Sequence, residues 1–202
     1  MPVRYTTIRV TEAGVILYAA HRARLGPEAE RAFDRFAAHA SPGVYALTAR
    51  DGNIDIVRRG GSRLFDGVPT RALPSPLAPG RGPQPKEPSP SAYDAVRVQG
   101  QATLLTDGSG EQLLESCSAA VLAWDGSILV AAPEDRSRVA STAEGAILAR
   151  LPFRRAPRPL DGGWPILLVN AVVLTCVPRG SIFPLAVRAQ VDEVLGRTTL
   201  RP

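Results

Sequence analysis

The chain has 202 residues, 45% of them apolar, which is enough to bury a core in one larger domain or two small ones. No apolar run reaches the ~18 residues that a membrane-spanning helix needs, so no membrane span is expected. The formal net charge is +5, but the arginines that carry it are scattered and aromatic residues make up only 5%, so basic stripes and stacking platforms for nucleic acid are poorly supplied.

In chain order, Val3 to Val10 is rich in β-branched and aromatic residues, Thr11 to Gly14 reads as a turn, and Val15 to Ala20 as a returning strand, which together predict a hairpin. His21-Arg-Ala-Arg-Leu25 leads out of it. Gly26-Pro27 opens a helix whose face is Ala29, Ala32, Phe33, Phe36 and Ala37, ending near Ser41-Pro42-Gly43. Strands follow at Gly43–Ala49 and Ile54–Arg58 around the turn Asp51-Gly52-Asn53. Residues 1–72 thus read as a small α/β domain whose open sheet edges need cover.

From Leu73 to Ser91, seven of nineteen residues are proline, which excludes regular helix and central strand and marks 73–91 as an extended linker. A helix is expected at about 90–101, and 92–202 form the second domain. There, strands are expected at Gln112–Glu115, Ser118–Trp124 and Ser127–Ala132, the last two joined at Asp125-Gly126. Arg138 to Ile147 reads as a capped helix, with Ser141 or Thr142 as N-cap and Glu144 as capping-box partner. Pro165 to Val173 reads as a buried strand, while Ser181 to Leu195 fits strand or helix. Two distant cysteines, Cys117 and Cys176, suit a reducing cytoplasm better than a disulfide framework, and no signal peptide is expected at the start. With only His21 and His39 beside them, no metal cluster has recognisable spacing.

The linker holds the only lysine, Lys86; the other 23 basic residues are arginine. A guanidinium stays protonated and cannot attack a carbonyl, whereas a desolvated lysine can lose its proton and form a Schiff base. Such a lysine suggests pyridoxal 5'-phosphate (PLP), which also needs an acid beside the pyridine nitrogen and donors for a phosphate dianion. The acid candidate is Glu115, at the end of an apolar strand. The phosphate candidates are Ser141 and Thr142 at a helix start, and Arg24 after the hairpin. Taken singly, each also reads as an ordinary feature: a strand-end carboxylate, an N-cap, a solvated charge.

The order of these stretches resembles the class IV fold type of PLP enzymes, which contains branched-chain and D-amino-acid aminotransferases and aminodeoxychorismate lyase. Tyr5-Thr-Thr-Ile-Arg9 looks like the family's early strand, and His21-Arg-Ala-Arg24-Leu25 like "H-x-x-R-L", whose arginine holds the cofactor phosphate. Lys86 with Tyr93-Asp94 resembles the lyase-like "K-T-T-…-Y-D" segment. Gly110 to Val121 is similar to the stretch whose glutamate faces the pyridine nitrogen, here Glu115. Val139-Ala-Ser-Thr142 occupies the place of the phosphate-binding turn, and Leu168-Val-Asn170-Ala171 that of a later strand end. The sequence departs from the pattern at Thr6, Ala120, Ala140, Ala143 and Ala171, and it starts late relative to it, which implies a site more open to water.

The resemblance implies an α/β (α+β) fold of two domains, the larger carrying a curved, barrel-like sheet, with PLP between them. It implies that Lys86 is the Schiff-base lysine and proton carrier, that Glu115 binds the ring nitrogen, and that Arg24, Ser141 and Thr142 bind the phosphate. Tyr93 would meet the cofactor ring oxygen. It further implies a homodimer acting on a small amino-acid-like substrate, as a lyase or an aminotransferase, and the cysteine usage adds a cytoplasmic location. The alternative is a binding or scaffold dimer that keeps the fold without catalysis.

Overall fold

The structure is a computed structural model that describes residues 3–60, 64–78, 82–84, 86, 91–134, 136 and 138–197. The first unit is built on strand β1 (Arg4–Thr11), which pairs with the two-residue β2 (Gly14–Val15) on one side and with β3 (Gly43–Arg50) on the other. β4 (Asn53–Arg59) completes an antiparallel sheet of order β2-β1-β3-β4. Two helices cover one face: α1 (Tyr18–Leu25) and, after a 3-10 turn at Pro27–Ala29, α2 (Glu30–His39). Ile8, Val10, Leu47 and Ala49 point from the sheet onto Leu25, Phe33 and Ala37, as alternation in strands and a four-residue repeat in helices require.

The returning strand expected to run from Val15 to Ala20 is cut to two residues. Leu17 adopts φ 57°, ψ 37°, a left-handed conformation that turns the chain out of the sheet, and Tyr18 to Ala20 begin α1. His21 to Leu25 are therefore helical, and the last turn of α1 carries Arg24.

The proline-rich stretch adds one strand to each of two small sheets. β5 (Thr70–Pro74) pairs in parallel with β7 (Ala102–Thr106), and β8 (Leu113–Ser116) follows as an antiparallel neighbour. β6 (Pro83–Gln84) pairs in parallel with β11 (Arg138–Val139). β5 is an edge strand, where proline's missing N–H does no harm. The expected helix over 90–101 is only α3 (Ala92–Val96). Ser91 and Asp94 form a reciprocal capping box at its start, and Arg97 returns to an extended conformation.

The remaining strands are β9 (Ala120–Trp124), β10 (Leu129–Ala131), β12 (Phe153–Arg155), β13 (Ile166–Asn170) and β14 (Leu174–Cys176), in a five-stranded sheet of order β12-β10-β9-β13-β14. The described strands do not form one closed barrel. Helix α4 (Thr142–Leu148) starts where Ser141 as N-cap places it, while Arg138-Val139 before it are β11. Ser141 caps it by accepting from the Glu144 amide at 3.2 Å, but the Glu144 side chain pairs with Arg138 and Arg155 instead of returning to the cap. The ambiguous tail is helix α5 (Leu185–Arg197). No described helix is long and apolar enough to cross a membrane.

The central strands β9 and β13 are buried on both faces. Leu122, Leu167 and Val169 face a core with α4 and α5, while Val121 and Leu168 face a second core with Leu104 and Leu113 of the three-stranded sheet. Ile16 and Leu17, between β2 and α1, belong to the first of these cores and anchor the N-terminal unit to the second half.

Not all of the arginines are scattered over the surface. Arg158 is fully buried where β8 and β9 part, and it donates to the carbonyls of Leu113, Leu114 and Val121. Its five-donor fork satisfies acceptors that strand pairing would otherwise satisfy. Arg138 is also buried, paired with Glu144.

Candidate active site

β1, α1, the Lys86 segment, α3, β8 and the start of α4 surround one cavity of about 270 Å3. Its wall includes Arg24, Lys86, Tyr93, Glu115, Ser141 and Thr142, so all six residues singled out in the sequence reach the same space. They come from five segments separated by up to 118 positions, between Arg24 and Thr142, and only the tertiary fold brings them together.

The Lys86 amine lies over β1. Nζ donates to Thr7 Oγ1 at 3.3 Å and sits 5.3 Å from the centre of the Tyr5 ring. Burial lowers its pKa to about 8, helped by the positive charges of Arg24, Arg97 and Arg59. Half of the amine is thus neutral near pH 8, and neutrality is the state a nucleophile requires.

Glu115, the third residue of β8, has 4% of its surface exposed. Oε1 accepts from the Tyr93 hydroxyl and from the Val139 amide, the latter at 2.8 Å. Burial pushes the carboxyl up to about 7, against the lowering effect of those two bonds and of Arg138. Among the described residues no ion pair reaches Glu115, so it is a buried acid held by neutral donors. Such a group is stabilised by any cation that enters the cavity.

Arg24 projects from α1 to the turn before α4, where its guanidinium donates to the Ala140 carbonyl. Burial lowers it to about 10, which leaves it charged at neutral pH. Ser141 and Thr142 follow this turn, so one cation and two hydroxyls line the cavity together. His21, one turn before Arg24, is buried, with Nδ1 2.6 Å from Thr6 Oγ1. Burial and the nearby Arg24 and Lys86 charges lower it to about 3, so it is neutral and adds no further positive charge.

Tyr93 is placed differently from the expectation. It lines the cavity, but its hydroxyl is engaged by Glu115. Tyr5, Thr7 and Val139 were not singled out. The first two lie on alternate positions of β1 opposite the face that packs on α1 and α2, which a period-two reading of that strand could have found. Val139 binds Glu115 through its backbone N–H, and a backbone donor leaves no trace in a sequence.

The donor set fits PLP: an amine of lowered pKa, a buried carboxyl without a cation, and an arginine with two hydroxyls at a turn. No family model matches the chain, and no curated protein does. Solved structures do match. A 4-amino-4-deoxychorismate lyase from Pseudomonas aeruginosa is 17% identical, with 96% of this chain and 90% of that one covered and a TM-score of 0.64. A hypothetical aminotransferase from Mycobacterium tuberculosis in its PLP-bound form is 19% identical, with 96% and 88% covered and a TM-score of 0.65. Its form with α-ketoglutarate and PMP gives 17%, 96%, 88% and 0.59. At these identities the likeness is one of fold, a mixed α/β arrangement of several sheets that this chain shares with those structures.

Proposed function

We propose that the chain is a PLP-dependent enzyme that acts on a small amino-acid-like substrate, as an aminodeoxychorismate lyase-like enzyme or an aminotransferase, and that it works as a cytoplasmic homodimer. The observation that carries this reading is the convergence of the only lysine, its pKa lowered, with a buried carboxyl and an arginine–hydroxyl cluster on one cavity. The folds of PLP- and PMP-bound structures support the same cofactor.

When bound, PLP supplies an electron sink for a carbanion at the substrate α-carbon. The chain's residues supply the rest. Lys86, held by Thr7, is the amine that would hold the group at its aldehyde carbon and would carry a proton to and from the substrate α-carbon. Glu115 keeps the ring nitrogen protonated, and in turn gains the cation that its burial lacks. Arg24, with Ser141 and Thr142, holds the phosphate.

The test is direct because Lys86 is the only side-chain amine in the chain. Purified protein mixed with PLP near pH 8 should develop a visible absorption band. Borohydride should then fix the cofactor to the peptide carrying Lys86, and Lys86→Arg should abolish both. A protein that stays colourless, with Lys86 unmodified, would overturn the enzyme reading and leave a scaffold that keeps the fold.

A further inference from the structure

Tyr93 is buried on a helix of five residues, α3, which is too short to hold itself in place. It is fixed from both ends. The Ser91–Asp94 capping box closes the N-terminus, and Arg97 pairs with Asp94 at 3.2 Å and donates to the Cys117 carbonyl at 3.4 Å. The Tyr93 ring packs with Leu105 and Cys117, against Val96 and Val139. This aims the hydroxyl at Glu115 Oε1, the same oxygen that receives the Val139 amide. Two rigid donors, one from α3 and one from β11, therefore converge on one oxygen of a carboxyl carried by β8. A phenol has a single proton, and here it is committed to the carboxyl, so it is not free to donate to a ring oxygen.

We propose that Tyr93 is a positioning residue that acts through Glu115: with the Val139 amide it pins Oε1, which fixes the carboxyl plane and leaves Oε2 as the oxygen offered to a cationic ring nitrogen in the cavity. This rests on the PLP reading for the identity of that ring, but not for the Tyr93–Glu115 coupling itself. The other titratable and charged groups that interact with the carboxyl are Arg138, Arg158, Glu144 and Cys117; the Tyr93 bond adds to the pull of Arg138 toward the ionised form. Removing the phenol proton donor therefore makes Glu115 harder to ionise.

The coupling can be read without cofactor. In full-length protein carrying 13C-labelled glutamate, the Glu115 carboxyl resonance is identified by its loss in Glu115→Gln and then titrated. In Tyr93→Phe its midpoint should rise by about one pH unit, the size of a hydrogen bond to an ionised group. If Tyr93→Phe does not fold, 3,5-difluorotyrosine at position 93, a stronger donor of the same shape, should lower the midpoint instead. A midpoint that moves in neither variant overturns the proposal. The second arm is a double-mutant cycle on PLP dissociation. If Tyr93 acts only through Glu115, Tyr93→Phe weakens PLP binding in the wild type and changes nothing in Glu115→Gln. Additive effects would mean that Tyr93 touches the cofactor itself, and would also overturn the proposal. Failure of the wild type to take up PLP counts against the cofactor reading alone, and the titration then decides the role of Tyr93.

Discussion

At the scale of single residues, Glu115 has opposite effects on stability and on the site. Its ordinary pKa of 4.5 rises to about 7 in the fold. Below about 4.5 the carboxyl is protonated in both folded and unfolded chains. Between about 4.5 and about 7 only the folded chain keeps the proton, so stability falls as pH rises through that window. Above about 7 the buried charge costs its full amount. Glu115→Gln keeps an oxygen for the Tyr93 and Val139 donors and cannot ionise. Without cofactor, the variant should therefore gain on the wild type by about 3 kcal/mol between pH 4 and pH 8, read by urea unfolding. A constant difference across that range would mean that Glu115 titrates normally. With PLP present the variant should lose this advantage, since its amide gives a ring cation no charge to meet. Lys86 and Glu115 were legible in the sequence for different reasons. Lys86 stood out by composition alone, and Glu115 by its place in an ordered set of stretches. Arg138 and Arg158 were not, because a buried arginine looks like any surface arginine until its acceptors are known. Three of those acceptors are the carbonyls of Leu113, Leu114 and Val121, on strands that part only in the tertiary fold.

At the scale of elements, α4 separates a hydroxyl that also caps a helix from one that does not. Ser141 is the N-cap and its Oγ is used by the Glu144 amide, whereas Thr142, the first helical residue, lines the same cavity without that duty. Ser141→Ala should cost about 1 kcal/mol in unfolding free energy, the usual value of a lost cap. Thr142→Ala should leave stability nearly unchanged and weaken PLP binding. Equal losses of stability in the two variants would show that both hydroxyls are structural. The bounds of β2 and α1 were misjudged for a tertiary reason. Val15 to Ala20 is an apolar run that suits a buried strand, but a buried Leu17 in a left-handed conformation ends β2 and starts α1. No local propensity signals this, since leucine rarely adopts positive φ and here its side chain is held by a core from the other half of the chain. The longer strands β3, β4, β9 and β13 were legible because alternation or an apolar run extends over most of their length.

At the scale of the whole molecule, the composition of residues 73–91 points to two domains, while several contacts tie the two halves together. Ile16 and Leu17 sit in the core that β9, β13, α4 and α5 form. Arg24 donates to the Ala140 carbonyl, and Arg9 to that of Val172 at 3.1 Å. The candidate site depends on these ties, because Arg24 and Thr7 come from the first half and Glu115 and Thr142 from the second. If the ties are strong, the halves unfold together. The two tryptophans, Trp124 and Trp164, both lie in the second half and report only on it. Phe33 lies in the core of the first half, among Ile8, Leu25 and Leu47. Phe33→Ala should cost about 3–5 kcal/mol, as large aromatic truncations do. In a cooperative molecule that loss appears in full in the tryptophan transition, and far-UV circular dichroism follows the same curve. Should the tryptophan midpoint stay where it is in the wild type while the dichroism splits into two steps, the halves fold independently, and the site between them would then be assembled by domain docking.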